Sequence, residues 1–119
     1  MRLANVHKAQ IPEAKVVKYL LSSTHRAGKS KAAFFTSIGF VAERWEELAA
    51  ALRRHAVENT VSQFEETAFG IRYVVDGLLM APHARRVKIR SVWFVDKGTD
   101  RLRFITAYPL KGDHHDSRT

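Results

Sequence analysis

Residues 86–110, RVKIRSVWFVDKGTDRLRFITAYPL, indicate the fold class of the chain. Two runs rich in β-branched and aromatic residues, 86–95 and 101–110, flank a polar stretch at 96–100. Such residues favour extended strands, and a short glycine-containing gap between two strands is typical of a β-hairpin. The stretch therefore predicts two antiparallel strands joined by a tight turn.

Two further strands are predicted immediately before this hairpin. Residues 60–69 and 71–79 are again rich in strand formers, with Gly70 between them and the turn sequence Ala-Pro-His at 81–83 after them. Because these strands follow one another along the chain with short gaps, we expect one four-stranded antiparallel meander.

The N-terminal half has helical patterns instead. Apolar residues recur at the helical period in about 12–22, 30–38 and 42–56, most clearly in the last, where an apolar stripe begins at Trp45. Residues 1–11 read as a mostly irregular lead-in. Helices followed by consecutive strands are typical of an α+β domain. We expect two to three N-terminal helices packed on one face of a C-terminal four-stranded antiparallel meander.

The composition limits the class of protein. The 119 residues fit a single domain, which we place at 1–110, followed by a flexible polar tail at 111–119. The absence of cysteine excludes disulfides, cysteine zinc sites and thiol nucleophiles. No apolar run approaches the ~20 residues that span a bilayer, and no apolar signal region is present near the N-terminus. We expect a cytoplasmic protein without membrane contact, and secretion as an effector stays open.

The charge is the main compositional clue to a partner. The net charge of +8 divides into +6 for residues 1–31, −3 for 32–66, +5 for 67–110 and zero for the tail. Basic segments at both ends of a domain predict one positive surface if those ends meet. Such a surface indicates a polyanionic partner, usually nucleic acid and sometimes an acidic protein. A basic but inert surface is the alternative.

A basic loop before the second helix carries the first candidate site residues. The segment 25–35, HRAGKSKAAFF, contains His25, Arg26, Lys29 and Lys31 around a glycine. An imidazole suits proton transfer near neutral pH, and a lysine can neutralise a phosphate or a developing oxyanion. Composition alone favours the alternative, a solvated basic loop with an ordinary histidine.

The third predicted strand carries charge where apolar residues are expected. Alternation places Lys88 and Arg90 on one face with Val92 and Phe94. Arg90 lies in the middle of a predicted central strand, a position where charges are usually avoided. It either pairs with a carboxylate or lines a cleft that binds phosphate.

The fourth predicted strand adds two hydroxyl groups. Strict alternation predicts one face with Leu102, Phe104, Thr106 and Tyr108 and the other with Arg101, Arg103, Ile105 and Ala107. Thr106 and Tyr108 can bind phosphate oxygens or orient a phosphodiester. A half-buried pair that only packs at a sheet edge is the alternative.

Together these segments resemble a bacterial family of uncharacterised small domains. The family shows a His-x-x-Gly-x-x-Lys-Ala loop before a helix, an Arg-x-x-Trp strand and a closing Arg-Leu-x-x-x-x-Ala-Tyr-x-Leu strand. The matching residues here are His25, Gly28, Lys31, Ala32, Arg90, Trp93, Arg101, Leu102, Ala107, Tyr108 and Leu110. The family looks like part of the barnase/EndoU/colicin/RelE-like group of ribonuclease toxins, which combine N-terminal helices with a four-stranded antiparallel sheet.

The resemblance implies cleavage of RNA without a metal or other cofactor, through attack of the 2′-hydroxyl on the adjacent phosphate. It assigns proton transfer to His25, charge stabilisation to Lys31 and Arg90, and phosphate positioning or shared proton transfer to Thr106 and Tyr108. A second histidine, present in the EndoU branch, has no counterpart here. Tyr108 or Lys31 would then take that second proton-transfer role.

The resemblance also implies partners. RNA is the expected substrate, with Arg26, Lys29, Lys88 and Arg103 as candidates for binding its phosphates, and a small acidic antitoxin or immunity protein is the expected protein partner. Two other interpretations remain open from the residues themselves. One is a non-catalytic module that binds RNA or a small acidic protein, and the other is a structural or immunity-type protein with a basic surface. The sequence predicts no oligomeric state.

Overall fold

The computed structural model describes residues 1–21 and 29–110, without the side chains of Tyr19 and of residues 29–32. Its helices are α1 (Glu13–Lys15, continued by the π-helical turn Val16–Leu20), α2 (Lys29–Ser37) and α3 (Trp45–Glu58, preceded by the 3-10 turn Ala42–Arg44). Its strands are β1 (Val61–Thr67), β2 (Gly70–Ala81), β3 (Arg85–Asp96) and β4 (Leu102–Pro109).

The four strands form one antiparallel sheet in the order β1-β2-β3-β4. Each strand pairs with its neighbour in the chain, as expected when short turns connect consecutive strands. The predicted α+β meander is therefore confirmed. The predicted strand bounds differ from the observed ones by one or two residues.

The helices cover one face of this sheet. The buried side of α3, with Leu48 and Leu52, packs with Phe35 of α2 against strand residues such as Trp93 and Phe104. The rings of Trp93 and Phe104 meet edge to face with their centroids 5.3 Å apart. The opposite face of the sheet carries no helix among the described residues, and we call it the open face.

The N-terminal lead-in belongs to the core. Its apolar residues are buried in the same cluster as the helices and strands, and they are Leu3, Val6, Ala9 and Ile11. Gln10 forms an isolated parallel bridge with Arg103 of β4. The segment is mostly irregular, as predicted, with one 3-10 turn at Val6–Lys8.

One extra residue interrupts the alternation of β4. Phe104 pairs with Trp93 and Thr106 with Val92, so Ile105 has no partner of its own and forms a β-bulge. Because Trp93 and Val92 point to opposite faces, Phe104 turns towards the helices and Thr106 towards the open face. The prediction of a single face containing Leu102, Phe104, Thr106 and Tyr108 is therefore wrong, since two of these residues lie on each face.

No helix in the described part of the chain is long and apolar enough to cross a membrane.

Candidate nucleic-acid interface on the open face of the sheet

The registers of β2, β3 and β4 arrange the open face in three rows. Pairing across the strands gives Asp76–Arg90–Tyr108, Val74–Val92–Thr106 and Arg72–Phe94–Arg103. Lys88 lies exposed on the same face, two residues before Arg90. Five of the predicted site residues therefore share one surface, and they are Lys88, Arg90, Arg103, Thr106 and Tyr108.

The central row contains an ion pair. Arg90 donates from Nε to Asp76 Oδ1 at 2.8 Å and from Nη2 to Oδ2 at 2.9 Å, and both side chains are less than one-third exposed. This bidentate geometry is the strongest form of an arginine–carboxylate pair. Of the two interpretations of Arg90 left open by the sequence, pairing with a carboxylate is the observed one.

The pKa values in this row follow from the pairing. The hydrogen bonds from Arg90 are the main reason that the pKa of Asp76 lies below its ordinary value, with burial acting in the opposite direction. The pKa of Arg90 is raised, first by its hydrogen bonds to Asp76 and to a smaller extent by one to Tyr108. Arg90 therefore stays charged, and it lies between Asp76 of β2 and Tyr108 of β4 in this row.

The second row contains a hydroxyl without a partner. Val74 and Val92 are almost completely buried, although no helix of the described residues covers this face. Beside them, Thr106 Oγ1 is shielded from solvent and has no hydrogen-bond partner among the described residues. A shielded polar atom without a partner is costly, so a ligand that supplies one gains affinity at this point.

In the third row, Arg103 contacts the carboxylate of Asp96 and the ring of Phe94. Its guanidinium donates from Nε and Nη2 to the two carboxylate oxygens of Asp96 at 3.0 and 3.1 Å, and it lies 5.1 Å from the centre of the Phe94 ring. The hydrogen bonds to Arg103 are also the main reason that the pKa of Asp96 is lowered. Arg103 is thus oriented before any ligand arrives.

The predicted basic loop lies partly outside the described residues. His25 and Arg26 lie outside the described residues. Lys29 and Lys31 lie in α2, but their side chains are likewise not described. The predicted convergence of His25 and Lys31 with Arg90 and Tyr108 therefore stays a prediction.

Asp76 is the functional candidate that sequence reasoning missed. Taken alone, Asp76 is one of several acids scattered along the sequence. The signal was an acid in the middle of one strand, Asp76 in YVVDGLL, and a base in the middle of the next, Arg90 in KIRSVWF. Such charges are expected to pair when the register brings them together, as it does here.

A second polar cluster lies directly behind the ion pair, on the side of the helices. His55 of α3 is 1% exposed, and its Nε2–H donates to the Gly77 carbonyl at 3.1 Å. Its Nδ1 accepts from the Ser91 hydroxyl at 3.1 Å, and Ser91 Oγ in turn accepts from Trp93 Nε1 at 2.8 Å. Burial lowers the pKa of His55, which favours the neutral ring that this set of bonds requires.

Among the described side chains, no group of three or more His, Asp and Glu residues could hold a metal ion.

Comparison with family models places the chain in a defined group. Residues 2–111 match the family described as Domain of unknown function (DUF6883), and the protein belongs to that family. The match spans all four strands and the three helices. Comparisons with curated proteins and with solved structures found no match.

Proposed function

We propose that this protein is a small endoribonuclease that needs no metal and works on the open face of its sheet, as the toxin of a toxin–antitoxin or effector–immunity pair. The observation that carries the proposal is the row Asp76–Arg90–Tyr108 beside the unpartnered hydroxyl of Thr106. Together these groups offer a fixed cation, a phenol and a hydroxyl within one surface. That combination suits a phosphodiester, whose charged oxygens accept hydrogen bonds from all three.

The chemistry is transfer of a phosphoryl group within the RNA. The 2′-oxygen forms a bond to the adjacent phosphorus, the bond from phosphorus to the 5′-oxygen breaks, and the products are a 2′,3′-cyclic phosphate and a 5′-hydroxyl. A base must remove the 2′-hydroxyl proton, and an acid must protonate the leaving oxygen. The family resemblance gives one of these two roles, base or acid, to His25 and leaves the other to Tyr108 or Lys31.

Arg90 has the clearest role in that scheme. In the transition state, negative charge grows on the non-bridging phosphate oxygens, and a cation aimed at them lowers the barrier. Asp76 holds the guanidinium by two hydrogen bonds, so that Arg90 is oriented before RNA binds. Thr106 and Tyr108, on the neighbouring strand, would donate to the same oxygens.

A binding module without catalysis is the second candidate, and a specific observation favours it. Two arginines of the open face, Arg90 and Arg103, are already paired with Asp76 and Asp96. Paired cations offer less potential for catalysis than unpaired ones, while they can still contact phosphates. Binding of RNA that weakens steeply with salt, without any cleaved product, would favour this candidate.

The decisive experiment is cleavage of RNA by the purified protein in the presence of EDTA. We expect wild-type protein to produce fragments that end in a cyclic phosphate, and His25→Ala and Tyr108→Phe to slow their formation. Arg44→Ala is a matched control, because Arg44 is exposed before α3 and forms an ion pair with Glu47 of the same helical segment. If highly purified wild-type protein cuts no RNA and is harmless when expressed, the enzyme proposal fails.

A further inference from the structure

The two edges of the sheet differ in how much of their backbone is paired with the N-terminal segment. At the β4 edge, Gln10 donates its N–H to the Leu102 carbonyl at 3.1 Å and accepts from the Phe104 N–H at 3.0 Å. At the β1 edge, the Val61 N–H donates to the Met1 carbonyl at 2.7 Å. Beyond that bond, no described residue pairs with the outer row of backbone groups on β1. One edge is covered, and the other is open to pairing with another strand.

Exposed apolar side chains collect at the same open edge. The structure describes five large apolar side chains that are strongly exposed, and three lie on β1, on the turn after it or at the residue that accepts the Val61 N–H. These three are Met1 at 63%, Phe64 at 57% and Phe69 at 79%. Apolar surface next to an unpaired strand marks a site of association, since burying it and pairing the backbone are both favourable.

We infer that a second copy of this chain pairs with β1 in antiparallel fashion, around a twofold axis at Phe64. Phe64 is the middle residue of Val61–Thr67, so the axis brings the two Phe64 side chains face to face. Within one copy, the Phe64 ring already lies 6.3 Å from that of Tyr73. The dimer would continue this contact into a row of four aromatic rings on the side of the helices, an arrangement that stabilises neighbouring strands.

The charges on the other side of β1 agree with this register. An axis at Phe64 places Gln63 of each copy opposite Glu65 of the other. Within its own copy, Glu65 pairs across the ladder with Arg72, so each glutamate would lie between an arginine and an amide. An axis at Glu65 would instead oppose two like charges, which is unfavourable.

Contact through β1 also keeps the basic residues of the strands apart. β1 contains two glutamates and no Lys or Arg, whereas β3 contains four basic residues and one acid. Pairing through β1 therefore opposes no two cations across the paired strands, although each chain carries +8 overall. The remaining repulsion is long-range and is screened by salt.

The size of the contact predicts a weak dimer. Because the bond from Val61 to Met1 occupies the start of the edge, pairing is confined to about residues 62–66 of each copy. Five residues span roughly 16 Å at ~3.3 Å per residue. Such an interface is small, so the dimer should form in a concentration-dependent way. Its formation would join two sheets into one of eight strands, and it does not depend on the proposed ribonuclease function.

Sedimentation velocity over roughly 5–500 µM tests the inference, since weak association appears only at high concentration. We expect the average mass to rise from 13.6 kDa towards twice that value, and to rise further when salt is added. Phe64→Thr, which keeps a strand-forming residue but removes the ring, should hold the protein at the monomer mass. A monomer mass for wild type throughout the range, or growth beyond a dimer, overturns the inference.

Charge changes at Gln63 test the register itself. Gln63→Lys places a cation opposite Glu65 of the other copy and should strengthen the dimer, whereas Gln63→Glu opposes two carboxylates and should weaken it. With two such pairs in each dimer, we expect changes of roughly 2- to 30-fold in each direction. Leu78→Thr is the matched control, because Leu78 is exposed on the open face of β2. If neither Gln63 change alters the dissociation constant of the dimer, or if Leu78→Thr abolishes the dimer, the proposed contact is wrong.

Discussion

Two polar clusters lie back to back in the middle of the sheet, and their construction differs. On the side of the helices, His55, Ser91 and Trp93 form a buried chain of hydrogen bonds. On the open face, at the same level of β2 and β3, Asp76 and Arg90 form a partly exposed ion pair. The strands thus present neutral groups to one side and charged groups to the other.

The two clusters differ in whether all of their hydrogen-bonding groups have partners. In the buried cluster, both ring nitrogens of His55 and the Trp93 N–H have partners, which is the condition for a polar group inside a core. The open cluster keeps its charges and adjoins the unpartnered Thr106 hydroxyl. A satisfied neutral network suits a structural role, whereas a charged and incompletely satisfied surface suits a ligand.

The largest expected effect tests the open cluster. In Arg90→Lys the charge remains, but an ammonium cannot donate the two parallel hydrogen bonds that Asp76 accepts. Under the proposed function we expect RNA cleavage to slow by roughly 10²–10³-fold, the usual cost of losing one group that stabilises transition-state charge. Single-turnover cleavage of an oligonucleotide with one ribonucleotide measures this.

The control for that variant is Arg54→Lys, because Arg54 forms an ion pair with Glu58 at 2.7 Å on the helical side. It should cleave at the wild-type rate. Equal cleavage by wild type and Arg90→Lys would show that the ion pair has no role in cleavage. Both clusters would then be structural.

The buried cluster is tested by His55→Ala. Removing the ring leaves a cavity and deprives the Gly77 carbonyl and the Ser91 hydroxyl of their partner, so we expect a loss of ~3 kcal/mol in the free energy of unfolding. Urea denaturation monitored by tryptophan fluorescence measures it. Arg54→Ala, an exposed change on the same helix, should cost less than ~1 kcal/mol. Similar losses for both would show that the network contributes little.

The pH dependence of stability should depend on His55. Its pKa is lowered on folding, so below pH 6.5 the unfolded chain binds a proton that the folded chain resists. Stability should therefore fall as the pH drops below 6.5, by at most ~1.4 kcal/mol per pH unit for this one group. Melting temperatures of wild type and His55→Gln between pH 8 and pH 5 check this.

His83→Asn is the matched control, since His83 is exposed and its left-handed backbone suits asparagine. It should follow the wild-type curve. If His55→Gln follows that curve as well, the loss of stability in acid has another origin.

The smallest effect is expected from Asp76→Asn. The pKa of Asp76 is lowered in the folded protein, so the carboxylate contributes stability above its unfolded pKa and loses it as the pH falls through the folded value. The variant should be less stable than wild type by ~1 kcal/mol at pH 7, and the difference should shrink below about pH 4. Denaturation at pH 7 and pH 3 compares the two proteins, and a difference that does not change with pH would mean that the ion pair does not stabilise the fold.

The pattern of residues was sufficient to predict the meander and the position of α3, because both depend on local periodicity. It was not sufficient for β4, since residues 102–108 alternate equally well with or without an extra residue at Ile105. The bulge depends on how Trp93 and Phe104 pack against the helices. The pairing of Asp76 with Arg90 likewise depends on the register of two strands, which single-strand patterns do not determine. His55 could not be recognised as buried, because its partners come from β2 and β3.

The N-terminal segment has a consequence for the order of folding. The four strands pair only with neighbours in the chain, so the sheet can form from successive hairpins with short loops. The bonds from Met1 to Val61 and from Gln10 to β4 instead join residues far apart in sequence. We expect this segment to dock after the rate-limiting step. Ile11→Ala should then accelerate unfolding while leaving the refolding rate almost unchanged in stopped-flow measurements. A slower refolding rate would place the segment in the folding nucleus instead.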